Sequence, residues 1–207
     1  MNIAILLFPR LTALDAIGPY EVLAHLPDAR VTFVAAQAGG VRTETDMLEL
    51  RADASLSDMP DPDIVVVPGG VGMFPLLDGS AEVDWVRSVA PGADWVTSVC
   101  TGSLVLGAAG LLEGKPATSH WSTVDALAQF GAVPVRERVV EAPGNVITAA
   151  GVSAGIDMAL TLAARVAGEE HARAIQLGIE YDPQPPFPMA TDPATRERTA
   201  AILAASA

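Results

Sequence analysis

Asp63-Ile-Val-Val-Val-Pro68-Gly69-Gly70 is an unbroken β-branched run, stopped by a proline and turned by a glycine pair. Alternating apolar and polar residues would mark a strand with one wet face. A continuous Ile-Val-Val-Val marks one covered on both faces, as in the middle of a parallel sheet. Pro68 has no N–H to give to a ladder, so the strand ends there. Working outward toward the N-terminus, Ile3–Phe8 and Val31–Ala36 read as strands, with a helix over about Asp15–Leu26 between them. Val41–Asp53 alternates weakly and contains turn residues, which predicts a hairpin or excursion. Toward the C-terminus come a helix over Ala81–Ala90, a strand at Trp95–Val99 and a helical pattern that starts directly after Cys100.

Beyond Gly114 the alternation continues. Ala117–His120 reads as a short strand, followed by a helix to Phe130 with Ser122 and Asp125 as its capping box. Val133–Val140 and Asn145–Ala149 read as strands, and Ser153–Val166 and Glu169–Ile179 as helices. Asp182–Pro188 is too rich in proline for helix or central strand and must be extended. A last helix is expected over about Pro193–Ala205. This order implies an α/β fold: a mostly parallel central sheet with helices on both faces, a flavodoxin-like three-layer sandwich formed by residues 1–207 as one domain. Ligands of such sheets gather beyond the carboxyl ends of the strands. Phe8-Pro9, Pro68-Gly69-Gly70, Cys100 and Ala150-Gly151 all fall at such ends, so four segments are expected to converge on one crevice.

Composition removes several classes of function. Twenty-five acidic residues against twelve basic ones give a formal charge of −13, and no basic run exists, which argues against a nucleic-acid surface. The excess acidity serves solubility. Met1–Phe8 is apolar but lacks a basic flank and a small-residue cleavage site, and no apolar stretch approaches the roughly 18 residues that span a bilayer. No membrane association and a cytoplasmic location are expected. The single cysteine rules out an internal disulfide, and His25, His120 and His171 lack metal-ligand spacing. No nucleotide loop is present either: Gly69-Gly70-Val71-Gly72 has no lysine behind it. Neither a metal nor a cofactor is therefore expected.

Chemistry concentrates at Trp95-Val-Thr-Ser-Val-Cys100-Thr-Gly-Ser103. A strand that turns into a helix at a cysteine is a nucleophile elbow: the turn presents the sulfur and the helix N-terminus favours its thiolate. Gly102 would leave room for a substrate. Asp15 is either an N-cap carboxylate or the proton-handling partner of the thiol, and spacing alone leaves the two even. Glu21 is a second carboxylate candidate, expected to face a partner or solvent. Gly69, Gly70 and the start of the Thr101 helix offer backbone N–H groups to a developing negative charge. The Thr101 hydroxyl sits beside the thiol, and His120 would suit a Cys–His pair, although a histidine at a strand end is more often structural.

Together, Val65-Val-Val-Pro-Gly-Gly70 and the cysteine turn about thirty residues later resemble the ThiJ/PfpI superfamily, related to the class I glutamine amidotransferase fold. The likeness runs from Met1 to about Gly168. Thr97–Leu112, Ala117-Thr-Ser-His-Trp121, Gly151–Asp157 and Glu180–Phe187 resemble more narrowly the isocyanide hydratases of that superfamily, over nearly the whole chain. Some of these elements also occur in regulators that carry an additional AraC-type DNA-binding domain, for which the roughly twenty residues after Phe187 are too few. The resemblance implies Cys100 as nucleophile, Asp15 as general acid/base, where many superfamily members carry Glu, and Thr101 in support. It implies Gly69, Gly70, Ala150, Gly151 and Val152 around the substrate, an isocyanide converted to an N-formamide without cofactor, and a homodimer with Asp182–Pro188 as a contact arm. Ala149-Ala150 replaces a glycine run of the hydratases and is expected to affect substrate range. A glyoxalase-like activity and a cysteine-based redox sensor are the alternatives.

Overall fold

The structure is a computed structural model, which describes residues 1–189 and 192–204. The first half of the chain lays down β1 (Asn2–Leu6), α1 (Ala13–Leu23), β2 (Arg30–Ala35), the hairpin strands β3 (Gly39–Arg42) and β4 (Glu49–Ala52), and the short β5 (Ala54–Ser55). Next come β6 (Ile64–Val67), α2 (Ala81–Val89), β7 (Trp95–Val99) and α3 (Gly102–Ala108). The second half adds β8 (Pro116–Ala117), β9 (Val133–Pro134), β10 (Val139–Glu141), β11 (Val146–Ala149), α4 (Ala154–Ala167), α5 (Glu169–Gly178) and α6 (Pro193–Ala204).

Seven of these strands form the central sheet in the order β10-β11-β7-β6-β1-β2-β5. Every pairing is parallel except that of β10 with β11. Ile64–Val67 is wholly buried, as is Ile3–Leu6 beside it, which is the burial on both faces that an unbroken apolar strand requires. From β1 the chain crosses toward β2; from β6 it crosses the other way, toward β7. Right-handed crossovers in opposite directions put their helices on opposite faces, so α1 packs with α4 and α5 against α4, while α2 packs with α3. The reversal lies between β1 and β6, and the crevice beyond their carboxyl ends is the switch point of the sheet.

Three expectations change. The strand expected at Val133–Val140 is split: β9 joins β8 in a separate two-stranded ladder, and only β10 reaches the main sheet. Pro134 sits in the β8–β9 ladder, whose bonds come from the Val133 and Val135 N–H groups on either side of it, and the side chains of Arg136 and Arg138 are drawn to Asp125 and Asp157 at 2.6 Å. The helix to Phe130 is a 3-10 segment that starts at Val124 after Thr123, without a side-chain cap. Its supposed capping pair is used elsewhere: the Ser122 hydroxyl bonds His120 Nδ1 at 2.6 Å and Asp125 holds Arg136. The hairpin or excursion expected at Val41–Asp53 is an antiparallel hairpin that differs only in its bounds, starting two residues early with Gly39 opposite Ala52. Asp182–Phe187 is exposed and carries neither helix nor strand, while Ala205 of the final predicted helix lies outside the described residues.

Candidate active site

Cys100 lies between β7 and α3 with a φ of 58°, a left-handed conformation that reverses the chain within one residue. Its backbone is clamped on all sides. The Cys100 N–H donates to the carbonyls of Ala149 and Ala150 at 3.1 and 3.0 Å. The Cys100 carbonyl accepts from the hydroxyls of Ser103 and Ser119 at 3.1 and 3.0 Å. The backbone N–H groups of Val152 and Thr101 donate to the sulfur.

Asp15 reaches the same point from the third position of α1, whose N-cap is Thr12. It does not cap its helix. Its carboxyl is fully buried, and Oδ2 accepts the Gly69 N–H at 2.9 Å. Oδ1 is buried without a hydrogen-bond partner among the described residues. Burial raises the Asp15 pKa to about 7 against the opposing pull of the Gly69 N–H and the Cys100 thiol, and the negative charge of Glu44 adds to the rise. Burial and the Asp15 charge together push the Cys100 thiol up to about 12, outweighing the Val152 and Thr101 N–H groups. The helix N-terminus is expected to favour the thiolate, but burial and the Asp15 charge act against it and raise both groups above their ordinary values. A cysteine 5 % exposed has lost the hydration that would hold its charge, and two amides do not replace it.

Two further readings need correction. The Gly69 and Gly70 N–H groups do not face open space: Gly69 holds Asp15, and Gly70 donates to the Thr101 hydroxyl at 2.9 Å. That hydroxyl donates back to the Gly70 carbonyl at 3.3 Å, so it ties α3 to the loop after β6. A Cβ at Gly69 would come within 2.6 Å of Thr101 and 2.9 Å of the Cys100 Cβ, which explains the glycine at this crossing. Gly102 likewise serves packing: a side chain there would overlap the Val67 and Pro68 carbonyls.

Ala150, Gly151 and Val152 line a cavity of about 460 Å³ together with Ser119, His120, Trp121 and Arg138. His120 belongs to this wall, with its ring packed over Gly151 and its Nδ1 on Ser122. Burial lowers its pKa. Only the Ala150 methyl borders the cavity, because Ala149 is buried within β11. Glu21 is exposed, as expected. Glu44 was not anticipated. The turn after β3 docks on the loop after β1 through Glu44 N to Leu11 O at 3.0 Å, and the Thr12 hydroxyl donates to Glu44 Oε2 at 3.0 Å. No spacing in the sequence announces that approach, since it depends on how the hairpin folds back.

The DJ-1/PfpI family model matches residues 1–165, which include Asp15, Gly69 and Cys100. The chain belongs to the DJ-1/PfpI family. Among relatives, it is 49 % identical over 90 % of its length to an isonitrile hydratase from Pseudomonas putida, of which it covers 81 %. Its fold is similar to the crystal structure of a ThiJ/PfpI family protein from Pseudomonas syringae, with a TM-score of 0.91, 37 % identity and coverage of 99 % of this chain and 86 % of that one. Drosophila melanogaster DJ-1beta matches with a TM-score of 0.77 and 26 % identity, over 88 % of this chain and 98 % of the other. The DJ-1/PfpI match stops short of α5, the proline-rich segment and α6, which the Pseudomonas syringae structure does cover.

Proposed function

We propose that the protein is an isocyanide hydratase, a hydro-lyase that adds water to an isocyanide and releases an N-formamide. The observation that carries this reading is the buried Asp15 carboxyl beside Cys100, with one oxygen held by Gly69 and the other unpartnered. The isonitrile hydratase relative supports the substrate class. With the thiol near 12 and Asp15 near 7, the pair stores one exchangeable proton on sulfur when Asp15 is ionised.

As Cys100 attacks the terminal isocyanide carbon, Asp15 takes the thiol proton and delivers it to that carbon, which leaves a thioimidate, R–N=CH–S–Cys. Asp15 then takes a proton from water as the oxygen adds to the same carbon and passes it to the nitrogen, which leaves a hydroxyl whose proton returns to sulfur through Asp15 in the last step. The C–S bond breaks, R–NH–CHO leaves, and the sulfur recovers its proton. Val152 and Thr101 N–H groups stabilise sulfur as it develops and sheds negative charge. Thr101 thus supports the site through its backbone, Gly69 and Gly70 through the positions they hold, and Ala150, Gly151 and Val152 as the substrate wall. A redox sensor is less well supported, because oxidation follows thiolate character and exposure, and Cys100 has little of either.

Steady-state conversion of phenyl isocyanide to formanilide tests the reading. Wild type is expected to produce formanilide and Cys100→Ala none above background. Absence of product from folded wild type would overturn it. By the same resemblance the protein is a homodimer, and an apolar N-terminus that reads as strand β1 and not as a leader supports the cytoplasm as its location; no helix among the described residues is long and apolar enough to cross a membrane.

A further inference from the structure

The cavity lined by Ala150 and Val152, whose carbonyl and N–H respectively meet Cys100, is unusually rich in arginine for this chain. Acidic residues outnumber basic ones by 25 to 12 over the whole sequence. Along the cavity the balance reverses: Arg136, Arg138 and Arg196 face it against a single acid, Glu137. Two of these arginines are held in place by carboxylates, Arg136 by Asp125 and Arg138 by Asp157, each at 2.6 Å. Arg196 is different. Its guanidinium carbon lies 5.7 Å from the centroid of the Trp121 ring, and among the described residues its side chain makes no hydrogen bond or ion pair. Contact with a ring face leaves the in-plane N–H fork of a guanidinium available, in the geometry that receives a carboxylate through two bonds. Trp121, Val124 and Met189 give the same cavity an apolar side.

The geometry points to a substrate that joins an isocyano group to an anionic one: an isocyanide with a carboxylate on an aromatic or branched hydrocarbon frame. The isocyano carbon goes to Cys100, past Ala150, Gly151 and Val152, whose last N–H is on the sulfur. The frame lies against Trp121 and Met189, and the carboxylate meets Arg196. On a chain of charge −13, a carboxylate is repelled unless a local cation compensates, and with Arg136 and Arg138 already paired to Asp125 and Asp157, Arg196 is the cation this cavity offers. The isocyanide half of this inference rests on the hydratase reading; the anion preference rests on the cavity alone.

Calorimetric titration of the full chain at low salt with 4-formamidobenzoate and with formanilide separates the two halves. In wild type the carboxylate-bearing ligand is expected to bind about tenfold tighter or more, a typical gain for charge-assisted bonds. Arg196→Gln is expected to bring the ratio of the two affinities toward one, and Arg196→Lys to restore part of it. A wild-type ratio near one overturns the anion preference, and a ratio that Arg196→Gln leaves unchanged overturns the assignment of the carboxylate to Arg196. Turnover of 4-isocyanobenzoate and phenyl isocyanide is followed on the same samples. Preferential binding without formamide from either substrate would keep the anion site and remove the hydratase reading. Equal binding and equal kcat/KM for both would do the reverse.

Discussion

At the residue scale, Asp15 decides the proposed chemistry. Its carboxyl must be ionised to receive the Cys100 proton, and burial holds its pKa at about 7. Wild-type kcat/KM is therefore expected to rise with pH through about 7 and then level, because the thiol titrates only near 12. Asp15→Asn is expected to lose that acid limb and to slow turnover by about 10²–10⁴-fold, the usual worth of a positioned acid/base. The same burial has a cost in stability. The unfolded carboxyl titrates near 3.8 and the folded one near 7, so in that window the folded state binds more protons. Stability from this group is then highest below about pH 4, falls as pH rises toward 7, and stays low above it; the loss is on the order of a few kcal/mol. Denaturant unfolding of Asp15→Asn should show it more stable than wild type at pH 8, with the advantage vanishing near pH 4. Equal stability at both pH values would contradict the raised pKa.

At the scale of elements, the site is three strand ends tied together by short bonds. Thr12 N donates to Gly69 O at 2.9 Å, which joins the exits of β1 and β6, and the Thr101 hydroxyl joins β6 to α3. Thr101→Val removes the second tie and leaves the buried Gly70 N–H without its acceptor. A loss of about 1–3 kcal/mol in unfolding free energy is expected, with kcat falling less than tenfold because the Thr101 N–H is retained. A kcat collapse with unchanged stability would place the hydroxyl in the chemistry instead. Much of this scaffold was legible in sequence, since Ile64–Val67 and Ile3–Leu6 are long enough and apolar enough to have one reading. The Asp15–Cys100 meeting was legible only as two turns at the same end of a sheet. What the amides of Gly69 and Gly70 face, and where Glu44 lies, was not: both depend on loop conformations set by contacts distant in sequence. The capping pair at Ser122 misled because its side chains found partners across the fold.

At the scale of the whole molecule, the segments after β1, β3 and β6 each expose large apolar side chains: Leu14, Met47 with Leu48, and Val71 with Phe74. These segments are bonded to one another through Glu44 N to Leu11 O and Gly72 N to Arg10 O, so the apolar residues gather at the end of the sheet that carries Cys100. A second copy covering them fits the expected homodimer, with Phe187 of the exposed proline-rich arm as a further contact. Sedimentation at micromolar concentration should give twice the mass of 21.3 kDa, and a monomer would remove that claim. The central claim is the covalent step, and intact-protein mass spectrometry of samples quenched during turnover tests it most directly. An isocyanide has no leaving group, so the account predicts an adduct heavier by one whole substrate molecule, mapped to Cys100 in wild type and forming more slowly in Asp15→Asn. Formamide production with no such adduct in either protein, or continued turnover by Cys100→Ala, would contradict it.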